Sequence, residues 1–324
     1  MIKARIDVLA DGQLFHVAGA SSSLTIGNFH GLPLRLWWGA RLAPSPEALA
    51  ELRSDPPPYS VCDDPDDTSW SSARLCLDYA PPLAGDRKAP AFVATSTKAS
   101  VISPRITGWR TYEGRPALPG LPFARANADE ALTLELLLSD PAAGLEIALS
   151  YTVFDDSDIV AHNASYRSIA DSTIRLSRVS SFCLDFAPRH SLELIDLEGG
   201  WARERMARRS PLAPGKRIIG SNLGVSSHRF SPVGALVPST TTEASGEAWG
   251  ASLAWSGDWQ FSFEMDEYDC LRWSGGPGAE GFSWELGPGQ TFVCPEALLG
   301  WSGEGLSGLS SQFHEFLSRR ITPP

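Results

Sequence analysis

The chain has 324 residues, of which 43% are apolar and 20% are charged, with a formal net charge of −11. This composition is sufficient for a large hydrophobic core, which excludes a disordered chain and a small disulfide-stabilised domain. The acidic balance argues against a nucleic-acid partner and against an anionic membrane, because both bind concentrated Lys and Arg.

The amino-terminal residues 1–7 lack the apolar core of a signal peptide. No later segment approaches the about 18 consecutive apolar residues that a membrane-spanning helix requires. The sequence therefore predicts a cytoplasmic protein.

Alternating apolar and polar residues recur along most of the chain. Good examples are residues 132–136, 145–151, 174–179, 192–197 and 259–265. A period of two residues indicates half-buried strands, and the 29 Gly and 25 Pro spread between them indicate frequent turns. We predict a long antiparallel β architecture.

Two segments interrupt this pattern. Residues 43–70 contain several prolines and the acidic run 62–67, which is typical of an extended surface loop. Residues 305–320 carry Leu306, Leu309 and Phe313 at helical spacing and end in two arginines, which predicts a C-terminal helix.

The sequence contains no self-contained catalytic motif. Its 6 histidines lie far apart without a metal-binding spacing, and its 5 cysteines form no pair that suggests a disulfide or a zinc site. We find no Gly-x-Ser-x-Gly elbow and no glycine-rich phosphate loop. We predict no metal, no cofactor and no catalytic residue in this chain, and a structural role for His228.

Tryptophan is frequent, with 11 residues in the chain. A tryptophan within a strand is most simply explained by core packing. Trp70 differs because it follows Asp66 and Asp67 in the turn-rich loop. An indole face stacks on sugar rings and a carboxylate accepts hydrogen bonds from hydroxyl groups, so this combination is typical of a sugar site.

From Gly199-Gly200-Trp201 onward the sequence resembles the N-terminal domain of family-36 α-galactosidases. Ser226-Ser227-His228 belongs to the same series of matching segments, although Ser231-Pro232-Val233 replaces the family's usual Asn-Pro-Phe. The matching segments are 112–122, 149–154, 197–205, 211–215, 219–228, 246–250, 253–259, 282–289 and 295–314.

The resemblance implies an all-β fold, a large antiparallel β-supersandwich of the galactose-mutarotase type. It implies a β-supersandwich domain over residues 1–304 and a linker helix over residues 305–324 that leads toward a (β/α)₈ catalytic barrel. The two catalytic aspartates of the family lie on that barrel, and no segment here resembles the strand that carries the nucleophile.

The resemblance also implies partners and a binding site. In oligomeric members of the family, this domain lends a loop to the active-site rim of a neighbouring protomer. We identify residues 62–70 with that loop, with Asp67 accepting hydrogen bonds from galactose hydroxyl groups and Trp70 forming a stacking wall. The expected partners are α-galactosides, the catalytic barrel of the same enzyme and further copies of the chain.

Two alternatives remain open at this point. The chain could be a stand-alone carbohydrate-binding or regulatory module without hydrolase activity. It could also be a complete enzyme of the aldose-epimerase type, which uses His as acid and Glu as base. No His and Glu in the sequence form a convincing pair for the second alternative.

Overall fold

The computed structural model describes residues 3–43, 45–47, 66–67, 70–82, 87–99, 101–188, 191–278 and 280–322. Within these ranges the protein consists of antiparallel sheets and a C-terminal helix. Most of the loop predicted over residues 43–70 lies outside the described residues. No described helix is long and apolar enough to cross a membrane.

The largest sheet has ten strands. Buried and half-buried residues alternate along 145–149 and 192–197, as the predicted period requires, whereas residues 133–136 are all buried. In order across the sheet its strands are β13 (Arg203–Pro211), β12 (Leu192–Gly200), β15 (Phe230–Pro238), β16 (Ala248–Leu253), β21 (Ala297–Ser302), β9 (Ser157–Ser168), β8 (Leu145–Phe154), β7 (Ala131–Asp140) and β6 (Arg105–Glu113), with β20 (Thr291–Val293) also pairing with β9.

Two four-stranded sheets form the opposite layer of the sandwich. The first contains β1 (Arg5–Leu9), β2 (Leu14–Ala18), β3 (Ser22–Phe29) and β4 (Leu32–Ala40). The second contains β11 (Phe182–Phe186), β18 (Leu271–Pro277), β17 (Trp259–Met265) and β14 (Gly215–Ser221). A small sheet of β19 (Trp284–Leu286), β10 (Ile174–Arg178) and β5 (Val93–Thr95) lies beside them.

A short extended segment connects the two four-stranded sheets. Leu77 forms an antiparallel bridge with Leu34 of β4, and Asp78 forms one with Leu184 of β11. The bridges extend the hydrogen-bonding pattern across the gap between the sheets, so the second layer is nearly continuous. This confirms the predicted β-supersandwich.

The two faces of the ten-stranded sheet pack against different partners. Along β21, Leu299 belongs to the core between the layers, whereas Leu298 belongs to a second cluster with Phe313 and Phe316. Successive residues of a strand point to opposite faces, so this second cluster lies on the outer face of the sheet. The helix that carries these phenylalanines covers that face.

The predicted C-terminal helix is confirmed. The helix α1 spans Gly305–Phe316 and continues into a wider helical turn over Leu317–Ile321. Gly250 lies beneath it, and a Cβ there would approach a ring carbon of Phe313 to 2.7 Å. The helix packs closely on the sheet because small residues of the sheet leave room for it. Its assignment as a linker toward a further domain stays a prediction.

The tryptophans divide into two groups. Trp249, Trp259 and Trp273 are almost fully buried in the core, as expected for strand residues. Trp201 is 89% exposed, because it lies in the tight turn between β12 and β13 rather than within a strand. Trp109 in β6 and Trp284 in β19 are also exposed, at 40% and 48%, although both lie within strands. The expectation of core packing is therefore wrong for these three tryptophans.

Candidate functional site

Trp70 lies against the turn between β3 and β4. Its indole ring stacks on the imidazole of His30, with ring centroids 4.5 Å apart and an angle of 14° between the planes. Phe29 packs against the same indole in a T-shaped arrangement at 5.5 Å. The Trp70 side chain is only 6% exposed. In the isolated chain, little of the indole surface is therefore open to a ligand.

Asp67 lies three residues before Trp70 and is half-buried. Of the predicted binding loop 62–70, the structure describes only Asp66, Asp67 and Trp70. The short sequence separation keeps Asp67 near the ring cluster around Trp70. The contacts of Asp67 and Trp70 with a sugar stay predictions.

The chain beyond Trp70 is firmly attached to the sandwich. Ser71 caps a short 3₁₀ helix over Ser72–Arg74, its Oγ accepting a hydrogen bond from the Ala73 backbone N–H. The bridging residues Leu77 and Asp78 follow directly. The carboxyl-terminal side of the predicted loop is thus held by both halves of the second layer.

A buried ion pair reinforces this attachment. The guanidinium of Arg272 donates two hydrogen bonds of 2.7 Å to the carboxylate of Asp185, and both side chains are 2% exposed. The Asp185 carboxylate also accepts from the Leu77 N–H at 3.0 Å, and Arg272 donates to the Ala89 carbonyl at 3.3 Å. The Asp185 and Arg272 pair therefore hydrogen-bonds the backbone at Leu77 and at Ala89, the two residues that flank the segment 78–88.

A second polar cluster lies deeper in the core. Tyr151 donates a hydrogen bond of 3.1 Å to Asp78, which is fully buried. Burial raises the pKa of Asp78 to about 7, although the nearby Arg35 guanidinium opposes the shift. His162 stacks on Tyr151 at 4.4 Å, and burial lowers its pKa to about 4. Both buried groups thus favour their neutral forms, away from solvent and substrate.

Other buried carboxylates are engaged inside the chain. Glu296 pairs with Arg115, and Asp196 pairs with Arg217. Retaining glycoside hydrolysis requires two carboxyl groups about 5–5.5 Å apart that flank the substrate bond. These internal pairs indicate structural roles for Glu296 and Asp196.

The described ranges also hold no group of three or more His, Cys, Asp or Glu arranged for a metal ion. His16 bonds to the Thr25 hydroxyl and His162 to the Ser150 carbonyl. No described histidine makes a hydrogen bond or an ion pair with a described glutamate.

A groove of about 660 Å³ lies on the outer face of the large sheet, beside α1. Leu197, Val233 and Phe313 contribute apolar lining, and Arg205 and His314 lie at the same groove. No local sequence pattern reveals this groove, because its lining comes from four separate strands and a helix.

Comparison with known families gives a consistent result. The model of the glycosyl hydrolase family 36 N-terminal domain matches residues 31–287. The chain is 33% identical over 310 residues to the α-galactosidase AgaA of Geobacillus stearothermophilus, covering 95% of this chain and 42% of that protein. It is 34% identical over 257 residues to α-galactosidase 1 of Pediococcus pentosaceus, covering 79% of this chain and 35% of that protein.

Solved structures agree with the sequence relatives. The crystal structure of AgaA superposes with a TM-score of 0.90 at 32% identity, covering 96% of this chain and 43% of that chain. That of AgaB from Geobacillus stearothermophilus gives a TM-score of 0.91 at 29% identity, covering 98% and 44%. The chain thus spans about two fifths of the length of these relatives. It belongs to glycosyl hydrolase family 36 and corresponds to the N-terminal domain of these α-galactosidases.

Proposed function

We propose that this domain works within a retaining α-galactosidase, where it supports assembly and shapes the rim of the sugar pocket. The observation that carries the proposal is the family match over residues 31–287, in a chain that spans only 42% of AgaA. The internal pairing of its buried carboxylates supports a non-catalytic role. Catalysis then requires carboxylates from the remaining part of the enzyme.

The proposed partners follow from the same relationship. Variants of AgaA have been crystallised in complex with stachyose and with raffinose. We propose α-galactosides of this kind as substrates of the complete enzyme, meaning this domain together with its catalytic barrel. Further copies of the chain are proposed to assemble so that Asp67 and Trp70 reach a neighbouring active site.

The first prediction concerns the isolated chain. The 324-residue protein is expected to show no hydrolysis of p-nitrophenyl α-galactoside and no acceleration of α-galactose mutarotation by polarimetry. The complete enzyme is expected to hydrolyse the aryl galactoside. Hydrolysis by the isolated chain would contradict the non-catalytic role, and mutarotation would favour the epimerase alternative. Binding of galactose by the isolated chain, with an inactive complete protein, would favour a stand-alone binding module.

The second prediction concerns Asp67. In the complete enzyme, Asp67→Ala is expected to raise KM for p-nitrophenyl α-galactoside by about ten- to 150-fold, since loss of hydrogen bonds to a charged acceptor weakens binding by about 1.5–3 kcal/mol. Steady-state kinetics measure the effect. Asp129→Ala is a matched control, because Asp129 is an acidic residue of a distant short helix. Equal kinetic constants for the two variants would contradict the sugar contact of Asp67.

A further inference from the structure

The turn between β3 and β4 has a histidine at its first central position. His30 and Gly31 have φ values of +49° and +77°, and they connect the paired residues Phe29 and Leu32. Two-residue hairpin turns with two positive φ values favour Asn or Gly at the first of these positions. Histidine is itself enriched at positive φ, so the backbone accepts His30, but the turn conformation does not require a ring at this position.

The turn itself is held rigidly in the fold. The Gly31 carbonyl accepts a hydrogen bond of 2.8 Å from the Ile106 N–H, and the Asn28 N–H donates one of 2.8 Å to the Gln13 carbonyl. A Cβ at Gly31 would approach the Cβ of Arg105 to 2.7 Å, so the turn lies directly on β6. The turn therefore presents a fixed surface to the residues that contact its side chains.

The described contacts between this turn and Trp70 are those of the Phe29 and His30 rings with the indole. The exposed His30 covers one face of the indole in a nearly parallel stack. The buried Nε1–H of Trp70 has no hydrogen-bond acceptor among the residues that the structure describes. With no hydrogen bond from a described residue to orient it, the indole is held by packing in the core cluster and by its ring contacts with Phe29 and His30, and contacts between aromatic rings are directional.

We infer that His30 is a positioning residue, which seats Trp70 on the β3–β4 turn and thereby fixes Asp67 at the rim of the sugar pocket. The part that concerns Asp67 rests on the proposed function. The seating of Trp70 does not, because it follows from the geometry of this chain. His30 itself makes no contact with the sugar in this arrangement.

Two substitutions at residue 30 distinguish the effect of the aromatic ring from the effect of the turn conformation. His30→Asn removes the stacked ring while supplying a residue that the turn favours, so it retains or raises the thermal stability of the protein. His30→Phe keeps a ring that can stack on Trp70. A purely structural role of residue 30 in the turn predicts that Asn is harmless, whereas a positioning role predicts that Asn loosens Trp70 and that Phe preserves its seating.

Hydrogen exchange followed by mass spectrometry tests the seating on the 324-residue chain. His30→Asn is expected to speed exchange of the amides of residues 70–75 by about two- to tenfold, the range given by loss of one aromatic pair. His30→Phe is expected to exchange like the parent protein. His228→Asn is the control, because His228 is exposed and stacks on no described ring. Unchanged exchange in His30→Asn would overturn the inference.

Kinetics of the complete enzyme distinguish this inference from the proposed function. His30→Asn is expected to raise KM for p-nitrophenyl α-galactoside by about two- to tenfold with kcat unchanged, and His30→Phe is expected to restore KM. If Asp67→Ala raises KM but His30→Asn does not, the positioning of Asp67 by His30 is overturned and the proposed function stands. If Asp67→Ala leaves KM unchanged while His30→Asn speeds amide exchange, the seating of Trp70 by His30 is supported and the contact of Asp67 with the sugar is contradicted.

Discussion

Arg272→Met is expected to lower the free energy of unfolding of this chain by about 3–5 kcal/mol, because it leaves the buried Asp185 carboxylate without its cation. The two side chains are 2% exposed and share two hydrogen bonds of 2.7 Å, so water cannot replace the lost partner. Urea-induced unfolding measures the change. The effect is large because the same pair also binds the backbone at Leu77 and Ala89.

Two further variants define the origin of this loss. Arg167→Met breaks an ion pair with Glu146 in which the two side chains are 60% and 41% exposed, and a change of at most about 1 kcal/mol is expected there. The double variant Asp185→Leu with Arg272→Met removes both charges, and it is expected to recover part of the loss. The Leu77 N–H still lacks its acceptor, so recovery is incomplete. An equal cost of Arg272→Met and Arg167→Met would contradict the structural role of the buried pair.

Asp78→Asn is expected to stabilise the protein above neutral pH. The pKa of Asp78 is raised from 3.8 to about 7, so the folded protein binds its proton more tightly than the unfolded chain does. Stability therefore falls by about 1.4 kcal/mol per pH unit as the pH rises from about 4 to about 7, and the penalty is complete above that range. The amide of Asn carries no charge to bury, and its oxygen still accepts the hydrogen bond from Tyr151.

Comparing Asp78→Asn with the parent protein isolates the contribution of the Asp78 carboxyl group to stability. His162 has a lowered pKa of about 4, so its contribution to stability rises with pH over part of the same range and masks the effect of Asp78 in the parent protein. His162 is present in both proteins, and its contribution cancels in their difference. That difference, measured by urea unfolding, is expected to grow by about 3 kcal/mol between pH 5 and pH 8. A constant difference would show that Asp78 ionises normally in the folded protein.

The strand pattern of this protein is largely readable from its residues. In segments 145–149 and 192–197 buried and half-buried residues alternate, because one face is covered more completely than the other. The long strand β9 lacks this signal, since His162 and Asn163 are both buried within it. A strand covered on both faces shows no alternation, so periodicity alone cannot find it.

The candidate site was predicted only in part. The prolines and aspartates of residues 43–70 mark a loop, and Trp70 stands out beside them as an aromatic residue in a polar setting. Nothing in the sequence indicates that Trp70 is buried against His30, because 40 positions separate them and the contact depends on the position of the β3–β4 turn. The His30-Gly31 pair is a turn signal, yet it does not reveal what the imidazole contacts.

The sequence by itself determined the class of the protein, because burial of one strand face imposes a period of two residues and turns require Gly and Pro at short intervals. The matching segments from residue 197 onward also indicated its family. Only the tertiary structure decided which distant residues meet. The joining of two sheets through Leu77 and Asp78, the Asp185 and Arg272 pair and the seat of Trp70 all arise from long-range packing, which no local pattern of residues encodes.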